Sequence, residues 1–470
     1  MNKTKLAIGI ATTSALVAVG FVVISQLPGL TSASGKYDSC EQLNADFATG
    51  VTAALDYVNT GEEIENPVVN VLVLQENLSL DEDRDGIACE VIYVQEDSDN
   101  WETLSQPLEI CQLQETENIA WESSKGFPVK RDNSALGNVR IAVIPVDFKN
   151  APGEGSPNDL FSDDIQLMKD WAQHFSRGKM SYDIEFNAPN WIRAPKGAEW
   201  YTCNQCKGAK KELQSKEEAA QEMVAAADEL YDFTGVEMVY FIFPAKAEEV
   251  HGTTAYGFNQ PMVTDEGPIT ASVYGEMGGV VGGRPDQVSV WDHAIHELLH
   301  FQGFPGHGPS NWTGHFVTVD QWGPSKAVTS WEAFKAGWFA EEEIICLERT
   351  SIEQEVFITM DSIDTFGPRK ESVMIRLNEE EMIVIERREA GPFTKICPEC
   401  YSAIEAGFTA YQINVNKPQY RDDSDPNSDD KNYWSFLGSR TDPTITDPVS
   451  FKGVTISLAG KNQIKLTVSN

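Results

Sequence analysis

Positive charge is what this chain has least of. Its 36 Lys and Arg face 72 Asp and Glu, a formal net charge of -36 at pH 7 that repels a phosphate backbone and anionic headgroups alike. Nucleic acid is thereby excluded as a partner. Long apolar runs are also scarce: past about residue 35 no stretch is long enough to cross a bilayer, so the remainder is expected to be soluble. No repeat of solenoid or propeller type is present. The glycines Gly278, Gly279, Gly282 and Gly283 come with neither a Walker lysine nor a dinucleotide fingerprint, which argues against a phosphate cradle.

What is present suits a globular, exported protein. Hydrophobic residues make up 41% and aromatics 10% of 470 residues, enough for two to four domains with real cores. Residues Met1-Asn2-Lys3-Thr4-Lys5 precede an apolar run from Leu6 to Ile24, and Ser32 and Ser34 are placed for cleavage. The segment 1–34 therefore reads as a signal peptide or, if uncleaved, a membrane anchor. The rest is expected to be secreted or on the extracellular face of the envelope, without stable membrane association once that segment is cleaved. Eight cysteines fit an oxidising compartment: Cys40, Cys89, Cys111, Cys203, Cys206, Cys346, Cys397 and Cys400. The Cys203/Cys206 and Cys397/Cys400 pairs are read as disulfides within or between pairs, with a shared four-thiolate zinc site as the alternative.

Patterning divides the chain further. Residues 37–92 form a compact unit, and 93–135 show no sustained period and read as a linker or the remnant of a pro-segment. A β-branched run, Asn138 to Phe148, opens a region extending to 343 in which helix and strand patterns alternate. Ile165 to Phe175 and Glu217 to Leu230 are expected helices, and Val236 to Phe243 another buried strand, so this region is α/β or α+β. From 344 to 470 short strands dominate: Glu355 to Met360, Val373 to Leu377, Met382 to Glu386 and Ala410 to Val415. The run Asp422 to Asp430 interrupts them as an exposed acidic loop.

Chemistry concentrates in the histidines. Five of the seven fall at His293, His296, His300, His307 and His315. Residues 289 to 302 can form one helix, with Ser289-Val290-Trp291-Asp292 as a capping box and Ile295, Leu298 and Leu299 as an apolar face. Positions i and i+4 are neighbours on a helix, so His296 and His300 can offer two imidazole nitrogens to one Zn2+. Glu297 points around the cylinder, where it can act as general base on a water. Gly303 is expected to end the helix. His307 is the expected third ligand, ahead of His315 or an acidic residue from elsewhere.

With those residues in view, the stretch from about 138 to 340 resembles the secreted immune inhibitor A-type zinc metallopeptidases. The resemblance rests on Val146-Asp147-Phe148 with Ala151-Pro152-Gly153, His296 through Pro305, Gln321 to Lys326, and Trp331 to Trp338. Gly306 stands where the family usually carries Asp, and Phe316 to Asp320 lacks its methionine turn. The resemblance implies an α+β zincin/metzincin-like catalytic domain over 136–343, a β-rich C-terminal domain over 344–470, and a protein or peptide substrate. The expected function is that of an exported zinc-dependent endopeptidase. The alternative is a non-catalytic calcium-binding envelope or binding protein on a zincin scaffold; a zinc hydrolase acting on another bond is a third reading.

A second motif lies nearer the N-terminus. Asp81, Asp83 and Asp85 alternate before Gly86, in the manner of a loop that holds a hard cation. Residues 37–92, with Cys40, Leu43, Asn44, Gly50, Val51 and Cys89, resemble the small extracellular Excalibur calcium-binding domain. That resemblance implies Ca2+ bound by Asp81, Asp83, Asp85 and Glu90, and a disulfide between Cys40 and Cys89.

Overall fold

The computed structural model describes residues 99–115, 124–131, 133–201, 216–244, 246–247, 255–273, 290–304, 327–394, 407–417, 434–440, 448–460 and 462–469. Before them it describes 36–37, 39–40, 42–43, 47, 51–52, 68–77, 80 and 87–88. The chain divides into two compact units, Met1–Glu96 and Asp97–Asn470. Among the described residues no helix is long and apolar enough to cross a membrane.

In the first unit, strands β1 (Val51–Thr52), β2 (Val68–Val69) and β3 (Ile87–Ala88) form a small sheet in the order β2-β1-β3. Helix α1 (Val71–Glu76) begins at Asn70, whose side chain accepts from the Val73 N–H at 3.2 Å. Leu43, Phe47, Val51, Val73, Leu74 and Ala88 close the core. Cys40 is disulfide-bonded. Its expected partner Cys89 lies outside the described residues, as do Asp81, Asp83, Asp85 and Glu90.

The second unit opens on β4 (Gly137–Asp147), followed by α2 (Pro157–Phe175), β5 (Met180–Glu185), β6 (Ile192–Arg193), α3 (Lys216–Ala227), β7 (Met238–Ile242), β8 (Ala255–Val263) and β9 (Pro268–Val273). The sheet order is β5-β4-β7-β9-β8, with β6 beside the end of β4. Its strands run parallel except β8, which is antiparallel to β9 at the edge. Successive side chains of a strand point to opposite faces. Val139, Ile141 and Val143 of β4 thus pack with Phe161, Ile165, Met168, Trp171 and Phe175 of α2. Ala142, Ile144 and Val146 pack on the other face with Ala219, Ala220, Met223, Val224 and Ala227 of α3. A parallel sheet covered on both faces needs apolar residues at every position, which is why β4 and β7 read as unbroken hydrophobic runs.

After α4 (Val290–Phe301) and α5 (Ser330–Ala336) the chain turns to β10 (Ile344–Glu348), β11 (Val356–Thr359), β12 (Ser372–Arg376), β13 (Glu381–Arg388), β14 (Gly407–Asn414), β15 (Trp434–Arg440), β16 (Val449–Phe451), β17 (Val454–Leu458) and β18 (Gln463–Val468). They make two sheets, β10-β12-β13-β14-β15 and β11-β18-β17-β16. Ile345, Leu347, Val373, Ile375, Ile383 and Ile385 meet Val356, Ile358, Val454, Ile456, Ile464 and Leu466 between the sheets. The opposite face of the first sheet, with Met374, Met382, Val384, Tyr411 and Ile413, shares one core with α2, α4 and α5. The core therefore runs across residue 343 without a break.

Residues 93–135 read as a linker because no hydrophobic period marks them, yet their described part is woven into this core. Cys111 and Cys346 form a disulfide, and the Gln106 N–H donates to the Cys346 carbonyl at 2.7 Å. Phe127 lies edge-on to Trp331 and tilted on Phe334. The Lys335 ammonium reaches the Ser124 carbonyl at 2.7 Å, and the Trp338 indole N–H reaches that of Ala135 at 2.8 Å. Isolated anchors on irregular backbone do this work, and such anchors have no period to detect.

Candidate metal centre

Helix α4 carries Val290-Trp291-Asp292-His293-Ala294-Ile295-His296-Glu297-Leu298-Leu299-His300-Phe301 and is buried nearly all round. It packs on α2 and against β7, β8 and β9. Ile295, Leu298 and Leu299 are fully buried, as the sequence pattern requires, but so are His296 and Glu297 on the other side. A His-Glu-x-x-His on a solvated helix would leave those polar groups in water. Here they are held out of it.

Each end of α4 is pinned by a neighbouring element. At the N-terminus the Trp291 N–H donates to Asp164 Oδ1 of α2 at 3.0 Å, a cap supplied from another helix. Burial raises the Asp164 pKa, and the hydrogen bond from Trp291 pulls the other way. Ser289, from the expected capping box, lies outside the described residues. At the C-terminus Gly303 adopts φ of 89°, and the Phe304 N–H returns to the Leu299 carbonyl at 3.1 Å. A Cβ at Gly303 would come within 2.9 Å of Val129 Cγ1 and 3.1 Å of the Lys130 carbonyl, so glycine is required by space as well as by φ. Gln302 donates to the Ser134 carbonyl at 2.7 Å and accepts from the Tyr182 hydroxyl at 2.8 Å. The Asn133 N–H donates to the Phe301 carbonyl at 2.9 Å.

Between these fixed ends, one turn of helix brings donor atoms of His296, Glu297 and His300 within 4.8 Å of one another. The two imidazole rings stand 5.0 Å apart at an interplanar angle of 87°. His296 and Glu297 are buried, and His300 keeps partial exposure. Burial holds the His300 pKa at about 4, so at neutral pH the ring is uncharged and has a lone pair to give. Imidazole nitrogens and a carboxylate oxygen can each offer a lone pair to a cation. Nitrogen and oxygen ligands of this kind suit Zn2+, which takes His nitrogens at about 2.0–2.1 Å in a tetrahedral shell.

The remaining expected ligands His307 and His315 lie outside the described residues, as do Cys203, Cys206, Cys397 and Cys400. Two residues close to the cluster had no role in the sequence reading. His293 sits one turn before Glu297, with its Nε2 3.5 Å from Glu297 Oε1. Tyr240 of β7 places its hydroxyl 2.8 Å from His293 Nδ1. The i,i+4 spacing of His293 and Glu297 was a readable signal; the arrival of Tyr240 from a strand was not. No protein-family model matches this chain, and no curated protein matches it either.

Proposed function

We propose that this chain is an exported zinc-dependent endopeptidase that hydrolyses extracellular proteins or peptides. The observation that carries the reading is the approach of His296, Glu297 and His300 within 4.8 Å on one buried helix. His296 and His300 hold the metal, and His307 completes the protein's ligand set. When bound, zinc supplies Lewis-acid polarisation of the scissile carbonyl and lowers the pKa of a water toward neutrality. Glu297 follows His296 in sequence but projects from a different part of the helix surface. It accepts the proton from the attacking water and returns it to the departing amine. The motif residues that resemble those of immune inhibitor A-type peptidases support the same reading. So does the apolar run Leu6 to Ile24, which points to export.

Within the same proposal, the N-terminal unit holds Ca2+ through Asp81, Asp83, Asp85 and Glu90, with Cys40 bridged to Cys89. The support is the Asp-x-Asp-x-Asp-Gly spacing. The test of the whole is purified protein, freed of its first 34 residues, incubated with an unfolded protein substrate. Cleavage is expected, abolished by a chelator, restored by zinc and lost in Glu297→Ala. Chelator-insensitive cleavage, or full activity in Glu297→Ala, defeats the proposal. Stoichiometric zinc with no turnover of any peptide would favour a non-catalytic binding protein on the same scaffold.

A further inference from the structure

His293 has no task in the mechanism above, yet it is buried beside the group that does the proton transfer. Glu297 lies four positions further on, which puts both on one face of α4. Its Nε2 lies 3.5 Å from Glu297 Oε1, long for a hydrogen bond and of the kind that shortens once a substrate complex forms. Its Nδ1 meets the Tyr240 hydroxyl at 2.8 Å. Tyr240 is fully buried on β7, and the His293 and Glu297 side chains are almost entirely so.

Burial, with a smaller contribution from His300, brings the His293 pKa to about 4, so the ring is neutral at neutral pH. A neutral imidazole has one N–H and one lone pair. Were the proton on Nδ1, a lone pair on Nε2 would face a carboxylate oxygen in an interior that screens poorly. With the proton on Nε2, the ring donates toward Glu297 and Nδ1 accepts from the Tyr240 hydroxyl. Only the second arrangement makes both contacts attractive.

We propose that His293 is a positioning residue for Glu297: Tyr240 fixes the ring and its tautomer, and the Nε2–H steadies one carboxylate oxygen while the other works on the attacking water. His293 is correspondingly not the third metal ligand, although it stands three residues from His296. It lies outside the trio whose donor atoms come within 4.8 Å of one another. The kinetic consequence rests on the peptidase reading. The tautomer and the exclusion from the metal shell do not.

Three measurements test this on the full chain. Zinc content of His293→Gln and Tyr240→Phe is expected to equal that of the wild type. In both variants kcat is expected to fall by about tenfold or more with KM unchanged, the usual cost of losing a group that orients an active residue. In protein with 15N-labelled histidines, the ring that responds to Tyr240→Phe is expected to be neutral and protonated on Nε2. Loss of zinc from His293→Gln, an Nδ1–H tautomer, or unchanged kcat in both variants would overturn the proposal. Should His293→Gln fail to fold, Tyr240→Phe and the wild-type tautomer still decide. If the wild type cleaves nothing, the peptidase reading falls alone, and zinc content and tautomer still place His293.

Discussion

Around Arg388 the interior sets a buried cation between two carboxylates, whereas one turn of α4 gathers two imidazoles and a carboxylate. The fully buried Arg388 guanidinium donates to Asp364 Oδ1 at 2.8 Å, to Glu386 Oε1 at 2.6 Å and to the Val328 carbonyl at 2.6 Å. Glu386 also accepts from the Ser330 N–H and the Tyr411 hydroxyl, and Asp364 from Thr394. Burial works against the Arg388 charge, but the Glu386 and Asp364 carboxylates outweigh it and its pKa rises. The cluster is complete in itself, and it ties β13 to the start of α5. The trio on α4 brings donor atoms of two imidazoles and a carboxylate within 4.8 Å of one another. A donor set of that composition and spacing marks where a visiting cation would bind.

Glu297→Gln is expected to lower cleavage of unfolded protein by about 10²–10⁴-fold, the usual contribution of a general base. Its denaturation midpoint should stay within about 1 kcal/mol of wild type. A variant that loses stability but keeps activity would place the trio among the structural clusters. Arg388→Met should do the reverse. It leaves two buried carboxylates without their cation and should cost about 3–5 kcal/mol in denaturant unfolding, with zinc content of the folded fraction unchanged.

Metal and acid sharpen the contrast. With zinc at about 100 times its Kd, the protein should be about 2.7 kcal/mol more stable than in chelator, and a midpoint indifferent to chelator would count against a metal on α4. In the metal-free protein, His293 binds its proton near 6.5 when unfolded and near 4 when folded. Between those values the unfolded chain holds more protons, so the share of stability due to this ring should fall by about 3 kcal/mol as pH drops through the window. His293→Gln should reduce that slope and leave the share of His300, which burial also holds at about 4. The smallest effect is expected from Asp164→Ala, which removes the cap at Trp291 and should cost about 1 kcal/mol in thermal or denaturant unfolding.

These two clusters were unequally visible in the sequence, for a physical reason. His296, Glu297 and His300 lie within one helical turn, and helical geometry alone brings them together. Arg388 and Glu386 share one face of β13, but Asp364 arrives from a loop and Tyr411 from β14, and local pattern does not encode that meeting. The same divide runs through the fold. Strand β4 was readable to within two residues as an unbroken apolar run and helix α4 by its helical apolar face, because burial imposes both patterns. Helix α2 begins at Pro157 rather than near Ile165, since its first two turns bury only Pro157 and Phe161. The pairing of Cys111 with Cys346 spans 235 residues and could not be counted out of eight cysteines.

The course of residues 124–135 along the end of α4 sets a limit on how far this protein can be trimmed. A fragment cut at residue 136, where the regular strands begin, loses the carbonyls that receive Gln302, Lys335 and Trp338. One ending at residue 343 strips the far wall from the core that surrounds α4 and α5. The shortest piece expected to keep the helix in place starts at Asp97 and includes the C-terminal sheets. Anyone shuffling modules between such proteins should move that whole piece as one block.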